Sequence, residues 1–192
     1  MPTSSPSVAI ETLARARGGD RAAHAELYAV FAGPVFTLAR RMLASKAQAE
    51  DVLQETFVEV LCKIAGFRGE AEVGTWIKRI AINKCLMYLR SSWVSRRDPE
   101  ADEPSTEHRS GALDQQLALE RALDKVPDMA RAVVWLHDVE GYTHAEIGRL
   151  MGRTTSFSKS QLARAHERLR ELLEGAQPNS ETSLCTPELK TC

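Results

Sequence analysis

Two short helical stretches separated by a single glycine constrain this chain more than any other segment. Thr143-His-Ala-Glu146 reads as a capping box, in which the Thr143 hydroxyl and the Glu146 carboxylate each satisfy a free amide at a helix start. Gly152 then breaks the helix, and a second helix is predicted to begin near Thr155. Two helices joined by a glycine-containing turn form the helix-turn-helix signature, whose second helix enters the major groove of DNA. In that second helix Leu162, Ala165, Leu169 and Leu172 or Leu173 recur at helical spacing and define one apolar face. Lys159, Ser160, Ala163 and Arg164 fall elsewhere, near the helix start, where small polar and basic side chains can approach phosphates and base edges. An ordinary amphipathic hairpin with a solvated basic face fits the same pattern, so the rest of the chain has to decide.

Charge is the next constraint. The net charge of -1 over 192 residues argues against indiscriminate binding to nucleic acid, but the charges are unevenly placed. From Val73 to Arg97 there are six cations (Lys78, Arg79, Lys84, Arg90, Arg96 and Arg97) and no acid. From Asp98 to Glu107 there are five acids and no Lys or Arg. This predicts a basic working surface followed by an acidic linker. No apolar run of membrane-spanning length and no signal-peptide core are evident, so a cytoplasmic protein without membrane insertion is expected. Cys62, Cys85, Cys185 and Cys192 match no zinc spacing; Cys62 and Cys85 lie in apolar helical patterns and are expected in the core, in a reducing compartment.

Helical periodicity dominates and strand alternation is nearly absent. The expected fold is all-α: two small helical domains, at residues 7–94 and 112–174, joined by an acidic linker at 95–111 and followed by a flexible tail at 175–192. Asp20 is a candidate cap for a helix carrying Leu27, Val30, Phe31, Val35 and Leu38. Ser45-Lys-Ala-Gln48 is a second capping-box candidate, opening a helix predicted to end at Gly66 as its C′ residue. A third long helix is predicted over roughly Val73 to Trp93. Pro127 suits a helix start, and Gly141 and Gly175 suit helix ends.

In the middle block, Phe67-Arg-Gly-Glu precedes Thr75-Trp-Ile-Lys-Arg-Ile-Ala-Ile-Asn83 and Lys84, which puts aromatics and a loop directly before a basic helix. Single-stranded DNA needs π-faces for exposed bases and positive charge for the backbone. Trp76 shares its neighbourhood with Ile77, Ile80 and Ala81 and is expected in the core, whereas Phe67 sits between glycines in a loop. Upstream, Ala49-Glu-Asp-Val-Leu-Gln-Glu-Thr-Phe57 places Glu50, Asp51, Gln54 and Glu55 in a polar stripe, with Val52, Leu53, Thr56 and Phe57 facing elsewhere.

These segments, in this order and spacing over roughly residues 20–173, closely resemble an extracytoplasmic-function (ECF) sigma factor of bacterial RNA polymerase. The resemblance implies a non-enzymatic initiation subunit of two helical regions, region two and region four, that recruits core polymerase to a promoter and helps melt it, in response to a stress or envelope signal. It implies that Glu50, Asp51, Gln54 and Glu55 dock on the clamp helices of the β′ subunit, and that region four meets the β flap. It also implies that Phe67, Arg68, Arg79, Asn83 and Lys84 contact the minus-ten element, and that Ser156, Lys159, Ser160, Ala163 and Arg164 read the minus-thirty-five element. An anti-sigma factor or another regulator is a further candidate partner. No cofactor or metal is implied.

The chain departs from the family pattern in three places. Ser45-Lys-Ala-Gln-Ala makes the docking stripe less acidic, Ser156-Phe-Ser158 replaces the usual opening of the recognition helix, and Gln161 stands where an Arg is common. Two other readings remain: a helix-turn-helix regulator acting without polymerase, and a helical adaptor that has lost DNA recognition. The first has no need of Phe67-Arg-Gly-Glu before an acid-free basic helix. Enzymatic activity is not expected, because the five histidines are scattered and form no His-Glu-x-x-His pair. Cys185 and Cys192 are expected to lie in a flexible, unligated tail.

Overall fold

The computed structural model describes residues 8–95 and 114–174, and side chains within those ranges except at 92–95 and 114–117. The acidic block 98–107, Arg96, Arg97, Gly175, Cys185 and Cys192 lie outside the described residues. Every regular element among the described residues is helical. The first unit comprises α1 (Ile10–Arg17), α2 (Arg21–Leu43), α3 (Lys46–Lys63) and α4 (Val73–Ser95). The second comprises α5 (Asp114–Asp124), α6 (Asp128–Val134), α7 (His144–Met151) and α8 (Thr155–Glu174).

Local chemistry sets the helix boundaries. The Asp20 carboxylate accepts the Ala22 amide at 2.8 Å and starts α2. Ala44, left-handed at φ 55°, ends it, and the Ser45 hydroxyl accepts the Gln48 amide at 3.3 Å to start α3 at once. The expected glycine stop at Gly66 is different in kind. α3 gives way to a 3-10 turn, Ile64–Gly66, and the left-handed residue is Gly69, at φ 75°. Tightening the last turn satisfies the Ile64 carbonyl through the Phe67 amide at 3.1 Å, so Gly66 has no special conformation to adopt.

α2 is apolar enough (18-residue mean hydropathy 1.2) and long enough to cross a membrane, contrary to the expectation from its sequence. Its apolar side is a core face instead: Leu27, Phe31, Val35, Leu38 and Met42 are buried with Val52, Phe57 and Val60 of α3 and Ile77, Ala81, Cys85 and Leu89 of α4. Pro34 lies on its exposed side.

In the second unit, the Trp135–Val139 stretch widens into one π turn before Gly141 reverses the chain at φ 76°. α7 opens with the complete Thr143–Glu146 capping box and closes at Gly152, φ 64°. There Arg153 N donates to Gly148 O at 2.8 Å and Gly152 N to Arg149 O at 3.2 Å, the two bonds of a Schellman end. Gly148 lets the two helices meet closely: a Cβ on it would lie 2.9 Å from the Arg153 carbonyl oxygen. α8 then buries Leu162, Ala165 and Leu169 against Ile147, Met151 and Val133.

The units also touch. Arg131 of α6 is 3% exposed; it donates to the Val126 carbonyl at 3.0 Å, to Asp128 at 2.7 Å and, across the boundary, to the Met42 carbonyl at the end of α2 at 3.4 Å. Arg41 pairs with Glu120 and Arg40 with Asp124, the latter at 3.9 Å. A buried guanidinium is tolerated here because its donors meet acceptors.

Candidate nucleic-acid and partner interface

The α3 stripe is built as the spacing predicts. Glu50, Asp51, Gln54 and Glu55 are exposed, while Ala49, Val52, Thr56 and Phe57 are buried. The stripe continues further than expected. Val58 is 63% exposed, and Leu61 and Cys62 are exposed beside it. Cys62 is therefore not a core residue: it lies eight residues past Gln54 and four past Val58, on the outward face. That spacing, counted from Gln54, is the signal that would have revealed it.

Behind the stripe, α4 reaches across to α3. Lys84 Nζ lies 3.0 Å from Glu59 and 3.5 Å from Glu55, and Tyr88 donates its hydroxyl to Glu55 at 3.0 Å. Hydrogen bonds from Lys63 and Lys84 hold the Glu59 carboxyl below its usual range. The hydrogen bond that Lys84 donates to Glu59 likewise raises Lys84.

The loop and basic helix divide the predicted residues into distinct settings. Arg68 is largely exposed, 3.8 Å from Glu70. Arg79 and Asn83 are exposed one turn apart on α4. Phe67 is not an open stacking platform: it is 7% exposed, with its ring centroid 5.0 Å from that of Trp76. The 3-10 turn swings the ring inward, onto the indole. Lys84 is turned towards α3. Lys78 pairs with Glu140 at 2.7 Å, and Arg90 donates to the Leu150 carbonyl at 2.5 Å, so both engage the second unit.

On α8, Ser156, Lys159, Ser160, Ala163 and Arg164 are all exposed. The unusual Ser156-Phe-Ser158 opening has a structural account. The Thr154 hydroxyl accepts the Phe157 amide at 3.1 Å and starts the helix. The half-buried Phe157 ring lies under the Arg153 guanidinium, 5.7 Å from its centroid. Ser158 is fully buried, its hydroxyl 3.0 Å from His144 Nδ1, which ties α8 to α7.

The histidines, scattered in sequence, partly converge in space. Asp138 in the π turn lies 2.7 Å from both His137 and His166, and the His137 and His144 rings stack at 4.5 Å. Burial pushes Asp138 up, but hydrogen bonds from the two histidines outweigh it and hold the carboxyl below its usual range. Burial lowers His144, helped by the charges of His137 and Lys159. Among the described residues no group of three such side chains has metal-binding geometry.

Two helical units, one with an exposed acidic stripe and a basic helix and the other with a helix-turn-helix, define a DNA-binding protein with a separate face for a protein partner. Residues 27–94 match the Sigma-70 region 2 family and residues 116–169 the Sigma-70 region 4 family. The chain is 32% identical to the ECF RNA polymerase sigma factor SigM of Mycobacterium tuberculosis over 163 residues, covering 85% of this chain and 83% of that one. It is 33% identical to the RNA polymerase sigma factor CarQ of Myxococcus xanthus over 168 residues, covering 83% of this chain and 94% of that one. The chain belongs to the ECF family of RNA polymerase sigma factors. Its fold is similar to that of the sigma factor RpoE from Bartonella quintana, solved with the anti-sigma factor NepR (TM-score 0.55, 23% identity, 79% of this chain and 97% of that one). It is also similar to CnrH, solved with the cytosolic domain of CnrY (TM-score 0.54, 22% identity, 87% and 97%).

Proposed function

We propose that this ECF sigma factor divides its work between the two units, here bounded at 7–94 and 112–174. The α3 stripe Glu50, Asp51, Gln54 and Glu55 docks on the β′ clamp helices of core polymerase. Arg68, Arg79 and Asn83 meet the minus-ten element, and Phe67 receives an unstacked base once its ring parts from Trp76. Extruding a base costs a few kcal/mol, so such a pocket is expected to form only with polymerase and promoter in place. Ser156, Lys159, Ser160, Ala163 and Arg164 read the minus-thirty-five element, and the second unit meets the β flap. Sigma factors of this family act on RNA polymerase in the cytoplasm, and this chain is assigned there. An anti-sigma factor is a fitting regulator, since the stripe and α8 each offer an exposed face to cover.

The observation that carries the reading is the two-sidedness of α8. Its candidate DNA residues are exposed while Leu162, Ala165 and Leu169 are buried, as a recognition helix lodged on its own core requires. In vitro transcription with core polymerase and a candidate promoter tests it. A specific transcript dependent on the protein is expected. Folded protein that neither binds core nor yields a transcript would overturn it.

A further inference from the structure

Among the described residues, the Glu55 carboxylate is the one member of the α3 stripe bonded to another helix, and both of its oxygens are used. Oε1 accepts the Tyr88 hydroxyl at 3.0 Å, and Oε2 lies 3.5 Å from Lys84 Nζ. Lys84 is 20% exposed and sits between Glu55 and Glu59, two carboxylates one helical turn apart. Glu59 takes a second cation, Lys63, at 2.6 Å. The result is an alternating chain, Lys63–Glu59–Lys84–Glu55–Tyr88, running from the end of α3 to the end of its docking stripe. A phosphate drawing Lys84 away would leave like charges one turn apart, which is unfavourable. Arg79 and Asn83, five residues and one residue before it on α4, are exposed instead.

We propose that Lys84 and Tyr88 are positioning residues for polymerase docking: they hold the Glu55 carboxylate in place for the partner, and Lys84 is not a DNA contact. This rests on the reading of the α3 stripe as the docking face. A free glutamate must lose rotamer freedom when it is immobilised in an interface, and one already held in place has less to lose. Each holding group is in its donor form. Tyr88 is pushed up to about 12 by burial and then by Glu55, so it stays protonated, and Lys84 is raised by its bond to Glu59.

The test measures the affinity of the full chain for core polymerase without DNA. Lys84→Gln and Tyr88→Phe are each expected to weaken binding roughly three- to fivefold, the size of a modest ion pair or hydrogen bond. Lys84→Arg is expected to restore it. Combined with Glu55→Gln, neither variant should weaken binding further, because there is no carboxylate left to position. Tyr88→Phe keeps the ring and serves as the readout if Lys84→Gln lowers the Tm. Normal core affinity for Lys84→Gln, with weaker minus-ten DNA binding and a salt slope reduced by about one ion, would overturn the proposal in favour of a phosphate contact. Losses that simply add to that of Glu55→Gln would also overturn it. If Glu55→Gln alone left core affinity unchanged, the docking face itself would be misassigned, a result distinct from either of these.

Discussion

Arg90 on α4 donates to the carbonyl oxygen of Leu150 in the last turn of α7, at 2.5 Å. With the Lys78–Glu140 pair at 2.7 Å, this bond turns two cations of the basic helix towards the helix-turn-helix unit. Sixty-odd residues separate each pair in sequence, so these are tertiary contacts between the two units. On the proposed reading, in which the two units grip separate promoter elements, the contacts are expected to open. Glu140→Lys replaces an attraction with a repulsion and should favour the open form. Lys78 is more than a third exposed, so the lost pair contributes no more than about 1 kcal/mol, or roughly fivefold in the closed-to-open ratio. Small-angle scattering should record a larger radius of gyration, and an unchanged profile would count against closure by this pair. Arg131 is a less clean target, because it also bonds Val126 and Asp128 within its own unit.

The parts of this fold legible in the sequence are those set by near neighbours. The Thr143–Glu146 box, the Asp20 and Ser45 caps, the Gly152 stop and the two faces of α8 all depend on residues within a turn or two. Cys62 departs from the core expectation because Val58, Leu61 and Cys62 recur at helical spacing on an outward face, and only the phase relative to Gln54 separates that face from a core one. Phe67 and the α4 cations were only half legible. Composition reveals a basic helix, but which cation meets solvent, α3 or the other unit depends on packing that spacing does not encode. Histidines spread over thirty residues converge on Asp138 for the same reason.

Gly148 gives a prediction about the turn between α7 and α8. Ala at this position would place its Cβ 2.9 Å from the Arg153 carbonyl, a backbone atom that cannot swing away. The two helices would have to separate, at a cost of about 1–3 kcal/mol. Urea unfolding of Gly148→Ala should show that loss, together with weaker minus-thirty-five binding, while core binding through α3 is retained. Wild-type stability would mean that the turn relaxes at no cost.

The second unit should also lose stability in mild acid. Burial holds His144 below the usual histidine range, so the unfolded chain takes up its proton first. A histidine lowered in this way stabilises the fold above its unfolded value, about 6.5, and that contribution is lost as pH falls below it. Asp138 is lowered too, and its own titration destabilises only below the ordinary carboxylate range, near 4, so it stays charged throughout this window. His144→Gln, which retains a polar group near Ser158, should flatten the fall in Tm between pH 7.5 and 5.5. An equally steep fall in the variant would assign the effect to other groups.

Two serines that look alike in sequence occupy different settings in the structure. Ser156 and Ser158 flank Phe157 at the start of the recognition helix, and either could be taken for a base contact. Ser156 is exposed beside Lys159 and Ser160, whereas Ser158 is fully buried against His144. Ser158→Val should therefore lower stability by about 1–3 kcal/mol, leaving His144 without its partner, with no change in which promoter bases are preferred. Ser156→Ala should do the reverse, leaving the Tm intact while altering upstream-element binding. Lys159→Ala with Arg164→Ala removes two exposed cations and should weaken upstream-element binding by about tenfold or more, with a shallower salt dependence and unchanged core affinity. Fluorescence anisotropy on minus-thirty-five duplexes, paired with thermal unfolding of each variant, distinguishes these outcomes. If Ser158→Val shifted base preference at constant Tm, the buried hydroxyl would have to leave His144 on binding DNA, and α8 would not be a rigid reading helix.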